Sequence, residues 1–136
     1  MSDAAAHIQA ARLARAAGDY YDAAIQQRRA ITLLRGGDPL ALGHALRHLA
    51  EILIEAGELD EADGAVRELL ALYRPHGGVP PLEHANALRC AALHAAATGD
   101  DETALAFWGE ARTRYLALNV AEGVAEADTR IAALRP

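Results

Sequence analysis

Lysine is absent from this chain, serine occurs only as Ser2, and cysteine only as Cys90, so several chemistries are closed before any motif is read. Without lysine there is no Schiff-base amine and no phosphate loop completed by its lysine, and without an interior serine there is no nucleophile elbow. A single cysteine cannot close an internal disulfide, and no basic start followed by a long apolar run opens the sequence, which points to a reducing cytoplasm. No apolar run reaches the length of a bilayer span, because arginine, glutamate or histidine interrupts each one, so no membrane association is expected. Aromatic residues make up only 4% of the chain, and alternating β-branched runs, the mark of half-buried strands, are missing.

What remains is alanine, leucine, arginine and acid. The 136 residues, 52% hydrophobic with a net charge of −6, suffice for one soluble domain with a sizeable core. Alanine-rich, aromatic-poor composition favours close-packed helices, and the expected class is all-α. All 13 basic residues are arginine, a usage that fits a high-GC bacterial genome. An acidic chain with no strongly basic stripe is not expected to bind nucleic acid.

One pattern occurs three times. Gly18-Asp19 leads to Ala23, Gly57-Glu58 to Ala62, and Gly99-Asp100 to Ala104. Glycine accommodates the left-handed end of one helix, the acid favours the start of the next, and alanine lets two axes approach just past the bend. The glycines lie 39 and 42 positions apart, a period expected of stacked helical hairpins. The spacing predicts hairpins at about 3–35, 38–74 and 81–118, and a seventh helix at about 120–135 that caps the third hairpin. In the first helix the apolar spacing falls on Ala6, Ala10, Leu13 and Ala17. In the third it falls on Leu42, Leu46, Leu49, Ala50 and Leu53, which turns His44, Arg47, His48, Glu51 and Glu55 away from the core. Asp38-Pro39 reads as a cap and first helical turn, Asn119 with Glu122 as a capping box, and 75–81 as a loop.

Seven residues before each corner glycine stand Ala11, Ala50 and Ala92, and twelve after stand Ala30, Leu69 and Ala111. Together with the corners, of which Gly18-Asp19-Tyr20-Tyr21-Asp22-Ala23 is the fullest copy, these positions give nearly the whole chain a sequence that resembles the tetratricopeptide repeat. It departs from that pattern where the early aromatic is His7, Leu46 or Leu88 and where the corner aromatic is Leu59 or Asp101. The period also exceeds the family's usual 34 residues or so, as in a longer-helix bacterial variety; HEAT-type pairs share it. The resemblance implies a right-handed α-α superhelix whose first helices line a concave groove for a peptide or protein segment, and it implies no catalysis and no cofactor.

His44-Ala45-Leu46-Arg47 aligns with Asn86-Ala87-Leu88-Arg89, so Arg47 and Arg89 hold equivalent non-core positions, matched by Arg12 and Arg15 in the first hairpin. On the resemblance these arginines, with His44, Glu51, Asn86 and Leu93, belong to the ligand groove, and Arg47 and Arg89 project into one shared surface. Such a groove would favour an acidic or carboxylate-bearing protein ligand. His44 and His48 stand one turn apart, but glutamate does not follow the first histidine as zinc proteases require, and two histidines on a polar face are expected to be plain groove residues rather than metal ligands. Cys90, among alanines and Leu93, reads as an inert packed thiol. The expected function is a non-catalytic interaction module. A self-assembling structural unit, including a homodimer, and a small-molecule or metal sensor are the other classes left open.

Overall fold

A computed structural model describes residues 2–74 and 78–135. Among the described residues the chain is all-helical, with α1 (Asp3–Ala16), α2 (Tyr20–Leu34), α3 (Pro39–Ala56), α4 (Leu59–Tyr73), α5 (Pro81–Ala97), α6 (Asp101–Ala117) and α7 (Ala121–Leu134). Of the expected loop, Pro75, His76 and Gly77 lie outside the described residues. Contacts gather the chain into two compact units, Met1–Leu72 and Tyr73–Pro136.

The three corners share one hydrogen-bond pattern. Gly18, Gly57 and Gly99 have φ of 80°, 80° and 82°, a region that costs residues with a Cβ about 1 kcal/mol or more. The N–H groups of Asp19, Glu58 and Asp100 return to the carbonyls of Ala14, Leu53 and Ala95, all at 2.9 Å. These bonds satisfy carbonyls that the helix ends would leave unpaired. The acids then act on the next helix: Asp19 accepts from the Asp22 N–H at 3.1 Å and Asp100 from the Thr103 N–H at 3.2 Å. Asp38 likewise accepts from the Leu40 N–H, with Pro39 in the first turn of α3.

Asn119 has a different role from the one its spacing suggests. Its φ of 58° makes it the left-handed end of α6, and the Val120 N–H returns to the Tyr115 carbonyl at 3.0 Å. The N-cap of α7 is Val120, without a side-chain bond. Asparagine is the non-glycine residue that best tolerates this conformation, so the helix-ending requirement of α6 takes precedence over the capping box.

In the first unit α2 packs against both α1 and α3. Ion pairs mark the other neighbours: Arg15 of α1 holds Glu55 of α3, while Arg28 of α2 and Arg35, which follows its last turn, hold Glu61 and Glu68 of α4. Gln27 is buried and donates from its amide to the Ala45 carbonyl at 3.0 Å, tying α2 to the backbone of α3. The repeated small positions are all enclosed: Ala11, Ala23, Ala30, Ala50, Ala62 and Leu69 are buried here, and Ala92, Ala104 and Ala111 in the second unit. Replacing Ala62, which is 0% exposed, by leucine forces extra methylenes into such a crossing. Ala62→Leu is expected to destabilise by about 1 to 3 kcal/mol; an unaltered urea midpoint would refute that packing role.

Two apolar stripes differ from expectation. On α1, Leu13 is 62% exposed and only Ala11 is buried, because a helix this rich in alanine offers several faces of similar hydrophobicity. On α3 the buried surface extends well beyond the leucine stripe to Ala45, Ile52 and Glu51, so Glu51 does not face away from the core.

In the second unit α6 packs against α5 and α7. Trp108 is fully buried among Ala92, Ala95, Ala104 and Ala127, with Leu93, Phe107, Ile131 and Leu134 packed around that cluster. α7 thus covers the side of α6 that carries Trp108.

Candidate functional site

Each unit bears a polar cleft on its own surface; of the residues assigned to the groove from sequence, Arg12, Arg15 and His44 line one and Asn86 and Arg89 the other, while Arg47, Glu51 and Leu93 line neither. In the first unit Arg12, Arg15, His44 and His48 line a narrow cleft of about 90 Å³ with Gln27 and Ile52. α1 and α3 supply the four polar residues at successive turns, which brings side chains 29 to 36 positions apart in sequence onto one surface.

The cleft is electrostatically prearranged. Arg15 donates from Nε to both Glu55 carboxylate oxygens, at 3.0 and 3.1 Å, and lies 3.6 Å from Glu51. The hydrogen bond to Glu55, opposed by burial, raises the Arg15 pKa above its ordinary value. Arg47 donates to Glu51 at 3.0 Å one turn further along α3. Glu51, only 8% exposed, is therefore a buried carboxylate shared by two guanidinium groups, an arrangement that offsets its desolvation.

His48 lies beside the same carboxylate, its Nδ1 3.8 Å from Glu51 Oε1. Its Nε2 faces His44 Nε2 at 3.4 Å, with ring centroids 4.5 Å apart and planes inclined by 64°. Burial and then the Arg47 charge depress the His48 pKa to about 4, so that the ring is neutral at pH 7. No group of three or more histidine, cysteine, aspartate or glutamate side chains converges as metal ligands among the described residues.

In the second unit Asn86 and Arg89 of α5 line a cleft of about 380 Å³ with Tyr115, Gly123 and Glu126. Arg89 grips Glu126 with two hydrogen bonds, the one from Nη2 at 2.9 Å. That bond holds the Glu126 carboxyl below the usual carboxylate range. The Tyr115 hydroxyl donates to Asn86 Oδ1 at 2.6 Å, leaving the Asn86 amide N–H groups for other acceptors. Leu93, expected in the groove, packs against the Trp108 cluster instead. Sequence reasoning missed Tyr115, Gly123 and Glu126, since nothing in their local spacing announces partners on another helix.

A wider cleft, about 560 Å³, lies beside the first two corners, walled by Tyr20, Tyr21, Arg28 and Glu61. It contains corner residues but none of those assigned to the ligand groove from sequence. Cys90 is fully buried, consistent with a packing role. No helix among the described residues is long and apolar enough to cross a membrane.

In comparisons with known proteins, no protein-family model matches the chain and no curated protein matches it significantly.

Proposed function

We propose that the chain is a non-catalytic, tetratricopeptide-like interaction module that holds a peptide or protein segment along the polar faces of its first helices. The supporting observation is the pair of clefts in which polar side chains are already fixed by neighbours, Arg15 and Glu51 in one unit and Asn86, Tyr115 and Arg89 in the other. Fixed donors and acceptors lower the entropy lost when a ligand is ordered on them. The right-handed superhelix, the concave groove and the bacterial, cytoplasmic setting belong to this same reading and rest on the resemblance of the repeats.

The ion pairs refine the ligand chemistry. Arg15, Arg47 and Arg89 each have a carboxylate of their own unit, so a carboxylate ligand would compete with Glu55, Glu51 or Glu126. Arg12 is exposed and donates to Gln9 at 3.4 Å, and is the cation best placed to meet an acidic ligand. The Asn86 amide suits a peptide backbone carbonyl. Affinity capture from the native host tests the reading with an Arg12→Glu, Asn86→Ala variant beside wild type. Each lost ligand hydrogen bond costs about 0.5 to 1.5 kcal/mol, so recovery of a specific partner is expected to fall severalfold while the melt stays unchanged. Equal recovery would refute the proposed groove. The exposed Leu13 and Leu33 favour self-assembly as a second reading, which a concentration-independent monomer in sedimentation would remove.

A further inference from the structure

The two imidazoles on α3 are closer than their spacing alone requires. From the geometry we infer that His44 and His48 form a two-histidine site for a divalent late-transition-metal ion such as Cu²⁺, Ni²⁺ or Zn²⁺, with the Glu51 carboxylate nearby. The pair lines the first-unit cleft assigned above to a peptide, but metal binding there does not depend on that assignment.

The separation of the Nε2 atoms carries the inference. Two metal–nitrogen bonds of 2.0 to 2.1 Å at a tetrahedral angle place their nitrogens roughly 3.3 to 3.4 Å apart, and His44 and His48 present theirs at 3.4 Å. As a direct hydrogen bond that distance is longer than the ordinary range. A metal ion accepting both lone pairs fits the same spacing without moving the helix.

A carboxylate and open space lie beside the ligand pair. Ligating histidines characteristically hydrogen-bond their second ring nitrogen to a carboxylate, a carbonyl or water; Glu51 Oε1 lies 3.8 Å from His48 Nδ1, too far for a direct bond and within reach of a bridging water. Glu51 is itself held by Arg47 at 3.0 Å and lies 3.6 Å from Arg15, so this carboxylate is fixed in place. The adjoining cleft of about 90 Å³ has room for several waters to complete the coordination sphere.

Charge and ligand number set the selectivity. Arg15 and Arg47 are offset by Glu55 and Glu51, and Arg12, exposed to solvent, is the remaining cation lining the cleft. With two protein ligands the site binds loosely compared with three-ligand zinc centres. Imidazole donors favour Cu²⁺ over Ni²⁺ and Zn²⁺, and reject Mg²⁺ and Ca²⁺.

The test is calorimetric titration of the full chain with Cu²⁺ and with Mg²⁺, using wild type, His44→Ala, His48→Ala and the control His84→Ala. Circular dichroism without metal checks the fold of each; His44 is exposed on a helix, where alanine is readily accepted, and His44→Gln provides a second replacement. Saturable one-to-one Cu²⁺ binding is expected in wild type and in His84→Ala. It should weaken at least tenfold in each of the His44 and His48 variants, Mg²⁺ should give no binding, and electron paramagnetic resonance of the wild-type complex should show coupling to two imidazole nitrogens. No saturable Cu²⁺ binding by wild type, or affinity unchanged on replacing either His44 or His48, overturns the proposal.

Discussion

Trp108→Ala is expected to destabilise the second unit by about 3 to 5 kcal/mol, the range for deleting a buried large aromatic side chain. The size of that loss follows from the neighbours. Trp108 is 0% exposed, and the buried residues around it are Ala92, Ala95, Ala104 and Ala127. The four alanines have no rotamers with which to fill a void, so closing the cavity requires helix movement or rearrangement of Leu93, Phe107, Ile131 and Leu134 at its edge, and either disturbs other contacts. The Arg130 guanidinium, 5.9 Å from the ring centroid, would lose its aromatic partner as well. The change should appear in thermal unfolding as a fall of roughly 10 to 20 °C. Trp108→Phe offers a graded control. The indole Nε1–H has no hydrogen-bond acceptor among the described residues, and such an orphaned donor carries a penalty that phenylalanine removes. The phenylalanine variant should therefore lose less than half as much as the alanine variant. A melt of Trp108→Ala within a few degrees of wild type would refute the role assigned to this side chain.

Gly123→Leu is expected to release α7. A Cβ added at Gly123 would lie 2.5 Å from Tyr115 Cγ and 2.7 Å from both Cδ atoms, so the Tyr115 ring lies directly against the helix backbone. These atoms are the stem of a 2%-exposed side chain whose hydroxyl is anchored to Asn86. The ring cannot retreat without breaking that bond, and α7 cannot retreat without straining Arg89–Glu126 and Arg112–Asp128. Even Gly123→Ala should be net destabilising, because a clash of about 1 to 3 kcal/mol outweighs the gain of about 1 kcal/mol in helix propensity. Leucine should cost more than alanine. Gly64 and Gly109 are also helical, but a methyl added at either would meet nothing within 4 Å, so Gly64→Ala and Gly109→Ala should stabilise by about 0.5 to 1 kcal/mol. Denaturant unfolding of the variants distinguishes the two cases. Stabilisation by Gly123→Ala would contradict the close approach of Tyr115.

The sequence by itself determined the helices and the corners, because those features depend on interactions within a few residues. A left-handed position selects Gly18, Gly57 and Gly99, an unpaired helix start selects Asp19, Asp38 and Asp100, and close crossing selects Ala23, Ala62 and Ala104. The local rules failed where two of them competed, as at Asn119, or where alanine on every face left the direction of α1 undetermined. The tertiary structure decided the sites, since each depends on groups contributed by different helices. The burial of Glu51 comes from the packing around α3, and its partners include Arg15 on α1. Asn86 meets Tyr115 and Arg89 meets Glu126 only because α6 and α7 return beside α5. Spacing placed His44 and His48 on one face of a helix; the rotamers that bring their Nε2 atoms to 3.4 Å depend on the packing around α3, because a one-turn spacing is compatible with rings that converge or diverge.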